Sequence, residues 1–336
     1  MNTENTNPTQ PEATPTLFAN EQLPLDNGNQ APGQICLANE ARFITAFYSE
    51  PLTTYSVGWR DPNNIEATLD FLFPPVQVGR RFEYKKADNA EAFYSDPDDI
   101  RSIGADFKRL EYRGTTMMDK TVNKGLTIRV DLDQVGGMPN WRELYTSRLL
   151  ARLLRNELRR GITLVANAAT GTAKTWDTTV GKDPDQDILT DLIACVDDSG
   201  VRPNRILFGD VAWNKRMISH RAQATAGGFA SAGLAPAALA PFLGVDGVMV
   251  SRERYQTTAT LKSKVTPDIV LEFFGMDGLT TDDASNTKRF WTSADGGQKY
   301  RVFEQQVSAK MVDISVEHYS NVLVTSTVGL RKLTIS

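Results

Sequence analysis

Few side chains in this 336-residue sequence have the types and spacing that catalysis requires. The strongest candidate is Asp210 in the segment RILFGDVAWNKRM, where an apolar run meets the start of a predicted helix. In many α/β proteins an acidic residue just beyond a buried strand belongs to a ligand site. An aspartate that begins a helix also accepts hydrogen bonds from free backbone N–H groups. We favour this capping role for Asp210 over a catalytic one.

The two histidines, His220 and His318, are weak candidates for a catalytic base. Neither lies beside a recognisable nucleophile motif, which a serine or cysteine triad needs. His220 closes a predicted helix, where it would interact with the last carbonyl groups. His318 continues the apolar face of a predicted strand, which favours a packed or interface histidine. We predict no catalytic residues and no enzymatic activity.

Metal and phosphate motifs are missing from the sequence. The segment TVGKDP has a Gly-Lys pair without the upstream glycine of a phosphate-binding loop. Cys36 and Cys195 lack paired spacing, which indicates two buried thiols. Acidic clusters fall in predicted loops or helix ends, which is typical of solvated turns; they are Asp96, Asp98 and Asp99, then Asp197 and Asp198, then Asp282 and Asp283. We therefore predict no cofactor and no metal site.

The bulk composition is that of an ordinary globular protein. Hydrophobic residues make up 40%, charged residues 23%, and the net charge is −4. The acidic balance argues against a dedicated nucleic-acid-binding protein. No apolar run approaches the ~20 residues of a membrane span, and the first basic residue is Arg42, so we expect no secretory signal and folding in a cytosol.

The first elements are a polar segment and two short helices. Residues 1–34 are rich in Asn, Thr, Gln and Pro, which predicts either a disordered tail or an arm that orders against a neighbouring subunit. Apolar residues at helical spacing then predict a helix that ends at Pro51. Asp61 and Pro62 predict the start of a second helix, and Pro74-Pro75 its end.

Strands and one very long helix follow. Between residues 78 and 133 the apolar period becomes two, which predicts half-buried strands, and the charged insert 85–109 predicts a projecting loop. Asn140 then caps a predicted helix from 141 to 169. Its predicted buried stripe is Leu150, Leu154, Leu158, Ile162 and Val165. Six arginines surround that stripe, and we interpret them as solvent- or subunit-facing, with a minor contact to nucleic acid as the alternative; they are Arg142, Arg148, Arg152, Arg155, Arg159 and Arg160.

The second half of the chain predicts a small mixed α/β region and terminal strands. Helices and strands alternate from Pro184 to about Phe274. The small-residue stretch TAGGFASAGLAPAALAPFLG within it indicates a linker around a short helix or a place where subunits approach closely. The last strands carry His318 on an apolar face, with a turn predicted at Ser320-Asn321.

Taken in this order, the elements resemble the major capsid proteins of tailed bacteriophages, which share the Hong Kong 97 capsid fold. The likeness covers nearly everything after residue 35, and its most suggestive segments are RPNRILFGDVAWNKRM, GVDGVMVSRERY and HYSNVLVTSTVGLRKL. It implies an α+β fold. The implied divisions are an N-terminal arm at 1–35, short helices leading into the peripheral domain at 36–75, an extended loop hairpin at 76–133, the peripheral domain with its spine helix at 134–183, an axial domain at 184–283, and peripheral C-terminal strands at 284–336.

The resemblance also implies a function. Such a protein assembles in the host bacterial cytoplasm into pentamers and hexamers of an icosahedral virion capsid around double-stranded DNA. Its partners would be its own copies, a portal, a scaffold and a decoration protein, with weak DNA contacts of no sequence specificity and no membrane. Because no large segment precedes the arm after Met1, we expect the scaffold to be a separate protein.

Two alternatives remain at this stage. An encapsulin-like shell shares the fold but encloses protein cargo, and the polar arm and long loop favour the virus over it. A soluble α/β enzyme would use Asp210. Some capsid proteins join a loop lysine to an asparagine of another subunit; Lys85, Lys86 or Lys108 with Asn321 would be the candidates, although no motif supports the cross-link.

Overall fold

Two five-stranded sheets and one long helix organise the protein in a computed structural model. The structure describes residues 47–86, 100, 103, 106, 115–258, 260–278, 284–294 and 297–336. The helices are α1 (Glu50–Gly58), α2 (Ile65–Leu72), α3 (Leu132–Val135), α4 (Trp141–Ala168), α5 (Pro184–Ser199), α6 (Asp210–Ala222), α7 (Ala226–Ala232) and α8 (Pro236–Leu243). The predicted arm at 1–35 and most of the predicted loop at 85–109 lie outside the described residues.

The strands confirm the predicted mixture of α and β structure. In chain order they are β1 (Pro75–Gln77), β2 (Arg81–Lys86), β3 (Thr115–Lys120), β4 (Val122–Asp131), β5 (Thr170–Lys174), β6 (Arg205–Gly209), β7 (Gly247–Ser251), β8 (Arg254–Gln256), β9 (Lys262–Lys264), β10 (Ile269–Phe273), β11 (Thr287–Thr292), β12 (Arg301–Gln306), β13 (Met311–Val324) and β14 (Arg331–Ile335). The first sheet has the order β1-β11-β13-β12, with β4 on β13, and the second has the order β5-β14-β10-β6-β7. Two short hairpins, β2-β3 and β8-β9, stand apart from both sheets.

Helix α4 connects the two sheets. It is 28 residues long, about 42 Å at ~1.5 Å per residue. Its predicted apolar stripe from Leu150 to Val165 is buried. Leu150 packs with β12 and β13, and the rest of the stripe, from Leu154 to Val165, packs with α2 and the second sheet. Burial of this stripe, more than helix propensity, stabilises so long a helix.

A second core lies on the other face of the second sheet. Helices α5, α6 and α8 cover that face with Ile188, Leu192, Trp213, Leu239 and Leu243. Side chains of β10, at the sheet centre, alternate between the two cores because successive residues of a strand point to opposite faces. Leu271 packs in the core with α4, and Val270 packs in the second core. The predicted α/β alternation from Pro184 onward is confirmed.

The predictions around α1 and α2 need correction. The helix predicted to end at Pro51 lies mostly outside the described residues, and Pro51 itself lies in the first turn of the following helix, α1, where its fixed φ suits that position. Asp61 and Pro62 precede α2, which begins at Ile65 after Asn64 in a left-handed conformation (φ 56°). The Asp61 carboxylate still accepts a hydrogen bond from the Ile65 backbone N–H, so it provides a partner for one of the free N–H groups at the start of α2.

Two further local predictions are wrong. Asn140 lies at the N-cap of α4, but its side chain makes no capping hydrogen bond. Ser320 and Asn321 form no turn, because β13 continues through them to Val324. Ser320 pairs with Val122 on one side and with Trp291 on the other, so the backbone there is held on both edges.

Helices α7 and α8 contain the small-residue stretch and meet at a bend of 117°. Together they pass a test of length and composition for a membrane span, whereas no single helix of the described residues passes it.

Candidate interaction surfaces

Asp210 lies in an ion pair at the start of α6. Gly209 occupies the N-cap position, and the Asp210 side chain makes no capping hydrogen bond, so the predicted cap is wrong. The Arg254 guanidinium donates to Asp210 Oδ2 at 2.6 Å, and Arg252 Nε lies 3.6 Å from Oδ1. The segment FGD therefore ties the start of α6 to the β7–β8 connection.

His220 joins a buried charged cluster between α5 and α6. Its Nε2 lies 3.1 Å from Asp185 Oδ2, rather than on the helix-end carbonyls. Arg216 donates to both oxygens of the same carboxylate, at 2.6 and 2.8 Å, and to the Ser231 carbonyl in α7. Burial would raise the pKa of Asp185, but the contacts with His220 and Arg216 lower it below its ordinary value. The cluster fastens three helices of the second sheet together.

Glu157 is the centre of a second buried cluster, on the face of α4 toward the first sheet. Arg289 from β11 donates to its Oε2 at 2.8 Å, and Lys124 from β4 donates to its Oε1 at 3.3 Å. His318 from β13 is buried, with Nε2 3.8 Å from the same carboxylate, which agrees with the predicted packed histidine. Burial would raise the pKa of Glu157, but Arg289, His318 and Lys124 hold it well below its ordinary value.

The same cluster reaches α2. Arg289 also donates to Asp70 Oδ1 at 3.0 Å, and its side chain is fully buried. Glu66, one turn before Asp70, accepts from Lys299 at 2.6 Å. A lone acid within the apolar face of α4 signals that a buried partner must exist. Lys124 lies 33 residues before it and Arg289 lies 132 residues after it, and separations of this size leave no local sequence pattern.

The arginines of α4 contact neighbours within their own chain more than we predicted. Arg142 binds Glu304, and Arg155 binds Glu253. Arg148 lies over the Tyr145 ring of the same helix, and Arg159 lies over the Tyr255 ring. These contacts attach α4 to β12 and to the β8-β9 hairpin.

A basic groove opens beside Arg155. We use this name for the cleft of about 880 Å³ between the start of α2, β7 and the β8-β9 hairpin, with Arg155, Arg252, Arg254 and Lys262 in its lining. Glu253 is the carboxylate in that lining, and Arg155 binds it at 2.6 Å. The cationic side chains come from three separate segments, so no run of basic residues marks the groove in the sequence.

The β2-β3 hairpin forms the base of the predicted loop. Its strands pair from Arg81 with Lys120 to Lys86 with Thr115. Phe82 stacks on Phe290 of the first sheet, with ring centroids 4.3 Å apart, which anchors the hairpin base. On its opposite face Met118 is 78% exposed, an unusual state for a large apolar side chain.

Two phenylalanines project from the small-residue stretch. Phe229 of α7 and Phe242 of α8 are 59% and 56% exposed, while Leu239 and Leu243 face the core. The other side of this helix pair thus offers apolar surface to a neighbour.

The remaining candidates from the sequence are scattered. Lys85 and Lys86 are exposed on β2, and the Asn321 side chain donates to the Lys120 carbonyl at 3.1 Å. Asp198 binds Arg331. Cys195 is buried, whereas several predicted residues lie outside the described residues: Cys36, Asp96, Asp98, Asp99, Lys108, Asp282 and Asp283.

Comparison with solved structures shows which fold this geometry represents. A phage-related protein from Bordetella bronchiseptica RB50 has a TM-score of 0.61 at 15% identity, over 85% of this chain and 96% of that one. A protein of Gordonia phage Cozz has a TM-score of 0.51 at 11% identity, over 83% of this chain and 89% of that one. This chain has the phage capsid protein fold.

This chain shares little sequence similarity with the proteins that share its fold. A prophage capsid protein from E. coli CFT073 is also similar, with a TM-score of 0.48 at 12% identity over 86% of this chain and 99% of that one. No family model matches the sequence, and no curated protein matches it. The predicted resemblance to phage capsid proteins is confirmed at the level of the fold.

Proposed function

We propose that this chain is the major capsid protein of a tailed phage, which self-assembles into the pentamers and hexamers of an icosahedral head around double-stranded DNA. The observation that carries the proposal is the capsid fold, present over more than four fifths of the chain. Exposed apolar side chains on the β2-β3 hairpin and on α7 and α8 support it, because such side chains favour contact with a neighbour.

The proposed domain map follows the sequence divisions. Residues 1–35 are the arm, 36–75 lead into the peripheral domain, and 76–133 form the extended loop. Helix α4 is the spine helix in the peripheral segment 134–183, 184–283 is the axial domain, and 284–336 returns to the peripheral domain. Strand β14 of that last segment lies beside β10 in the second sheet, so the return also closes the axial sheet.

The proposed partners are further copies of this chain, a portal, a separate scaffold and a decoration protein. The site of action is the virion capsid, after assembly in the host cytoplasm. DNA contacts are weak, since the chain has a net charge of −4 and its α4 arginines mostly contact their own chain.

A structural role fits the candidate residues better than catalysis. Asp210, the best candidate acid, is held by Arg254 and Arg252. His220 and His318 are buried, and both lie beside carboxylates that other cations also hold. None of these contacts places a nucleophile beside a base, which nucleophilic catalysis requires.

Electron microscopy of the purified protein, alone and with its candidate scaffold, tests the proposal. We expect closed shells or capsomers with five- and sixfold symmetry, and double-stranded DNA in particles from infected cells. Enzyme cargo in place of DNA would favour an encapsulin-like shell. A compact monomer that turns over a small molecule, and loses that activity in Asp210→Asn with its fold retained, would establish the enzyme alternative.

A further inference from the structure

We propose that Arg331 is a pH-controlled latch, which holds the C-terminal end of α5 while Glu272 is protonated and releases it when Glu272 ionises. The device belongs to the second sheet of a single subunit, so it does not depend on the proposed assembly. Two observations carry it: the register of β10 with β14, and the contacts that the two side chains make.

Glu272 and Arg331 lie directly opposite each other in the antiparallel pair β10-β14. Side chains in such positions have Cβ atoms about 4.5–5.5 Å apart, within reach of an ion pair. Both lie on the sheet face that α5 covers, since Val270 and Leu333, two positions away on each strand, pack in the second core. The strand pairing therefore places a cation beside a fully buried acid.

The two side chains nevertheless make no hydrogen bond to each other. Both carboxylate oxygens of Glu272 have no hydrogen-bond partner among the described residues. Arg331 instead turns toward α5, where it donates to the Ala194 carbonyl at 3.2 Å and to the carboxylate of Asp198. An ionised Glu272 would take so close a guanidinium as its partner, because an unpaired buried charge costs far more than a neutral acid. The observed contacts are those of the state in which Glu272 carries its proton.

The surroundings of Glu272 favour the protonated form. Burial raises the pKa of Glu272, and the nearby charge of Asp191 raises it further. Strand β6 faces α5 with the apolar Ile206 and Phe208. The titratable and charged groups on this side of the sheet are Asp191, Cys195 and Asp198 of α5, Arg331 of β14, Lys174 of β5, which binds Asp187, and Lys215 of α6, which binds the Ile335 carbonyl.

Ionisation of Glu272 gives Arg331 a stronger partner. The Asp198 side chain is 73% exposed, so water weakens its pair with Arg331, whereas a pair with ionised Glu272 forms inside the core. When the guanidinium turns to Glu272, the Ala194 carbonyl loses its donor and this end of α5 loses its tie to β14. Because the pKa of Glu272 is raised, the tie is intact at low pH and is lost as pH rises from the ordinary value of 4.5 through the folded value.

Cys195 provides a probe of the release, because it follows Ala194 in α5 and is buried. The other cysteine, Cys36, is replaced by serine in every protein tested, including the parent. The rate at which a thiol reagent labels Cys195 in the folded full chain then measures how often this end of α5 opens. Dividing each rate by that of Glu272→Gln at the same pH removes the ordinary effect of pH on thiol reactivity.

The ratio of the parent rate to the Glu272→Gln rate should rise at least about tenfold between about pH 6 and about pH 9, because each pH unit changes the ratio of ionised to protonated Glu272 tenfold. Glutamine keeps the shape of the side chain and does not titrate. A ratio that stays constant over this range would overturn the latch. Circular dichroism and thermal unfolding confirm that each variant is folded.

Arg331→Met separates the latch from simple repulsion between Asp191 and Glu272. It lacks the tie at every pH, so its labelling should already be fast at low pH, and the rise should be absent. The same rise as in the parent would overturn the proposal, because the opening would then not need the guanidinium.

Asp198→Asn tests the latch with a conservative change at an exposed position. It weakens the outer partner of Arg331, so the rise in labelling should move to lower pH. The matched control is Asp197→Asn, which removes the neighbouring exposed acid and should leave the rise where it is in the parent. An unchanged position in Asp198→Asn, or an equal shift in both variants, would overturn the role of Asp198 in the latch and with it the proposal.

Discussion

Glu157 shows how a single buried residue joins elements that are distant in sequence. Its carboxylate accepts from Arg289 of β11, Lys124 of β4 and Ser320 of β13. A buried charge is tolerated only when its partners are close and well aligned. The helix and three strands must therefore meet in one arrangement, which makes this cluster a source of specificity for the fold.

We expect Glu157→Ala to lower the free energy of unfolding by about 3–5 kcal/mol, because it leaves Arg289 buried with one partner fewer. Urea-induced unfolding followed by tryptophan fluorescence measures the change. Lys310→Ala, which removes the exposed pair with Asp133, is the control and should change stability by less than about 0.5 kcal/mol. Equal effects of the two substitutions would contradict the assigned role of Glu157.

Glu272 is a buried acid whose pKa is shifted in the opposite direction to that of Glu157. It lies in β10 beneath α5, and both carboxylate oxygens have no hydrogen-bond partner among the described residues. Burial raises the pKa of Glu272 well above its ordinary value, and the nearby charge of Asp191 raises it further, while Arg331 opposes both. Folding therefore favours the protonated form of Glu272 relative to the unfolded chain.

This linkage predicts a pH dependence. A raised pKa in the folded state contributes stability at low pH, and that stability is lost as pH rises from the ordinary value of 4.5 through the folded value. Glu272→Gln removes the titration, so its stability relative to wild type should increase with pH over this window. Urea unfolding at intervals from about pH 5 to about pH 9 measures the difference. A difference that stays constant with pH would show that Glu272 is ionised in the folded protein.

For single residues, the sequence predicted burial better than it predicted which polar partners a side chain contacts. We predicted structural roles for Asp210, His220 and His318; the packed environment predicted for His318 is observed, but the contacts predicted for Asp210 and His220 were wrong. Arg254 and Asp185 lie 44 and 35 residues away along the chain, respectively, and only the tertiary fold brings them close. Local pattern describes neighbours three or four residues apart, whereas ion pairs between elements depend on topology.

At the scale of elements, strong periodicity gave reliable predictions. The spine helix was predicted from 141 to 169 and is observed as Trp141–Ala168. The turn at Ser320-Asn321 failed because polar residues that favour turns were paired and partly buried inside a sheet. The β2-β3 pairing was also missed, since Thr115–Lys120 has no clear alternation of apolar residues.

Gly209, at the end of β6, allows close approach of the backbone before β10 in the second sheet. A Cβ at Gly209 would lie 2.2 Å from the Pro267 carbonyl oxygen, a backbone atom that cannot rotate away. We expect Gly209→Ala to separate β6 from the segment before β10 and to destabilise the protein by about 1–3 kcal/mol. Gly233→Ala, whose Cβ meets only ordinary contacts, is the matched control. Thermal unfolding compares the two, and equal midpoints would contradict the steric argument.

At the scale of the whole molecule, the proposed function depends on surfaces between copies. The order of elements predicted a capsid-like fold because each element has a characteristic length and position. The surfaces themselves were not predictable, since the basic groove and the exposed phenylalanines combine residues from separate segments. The β2-β3 hairpin, with Met118 78% exposed, carries apolar surface of the kind that a neighbouring subunit would cover.

Removing the loop separates folding from assembly. Lys86 pairs directly with Thr115, so an Asn-Gly turn in place of residues 87–114 can close the hairpin without moving its base. Because Phe82 still packs on Phe290, we expect a folded subunit with a thermal midpoint within about 5 °C of wild type. Sedimentation velocity and electron microscopy should show no closed shells under conditions in which wild type forms them. Normal shells from the shortened chain would show that the loop is dispensable for enclosure.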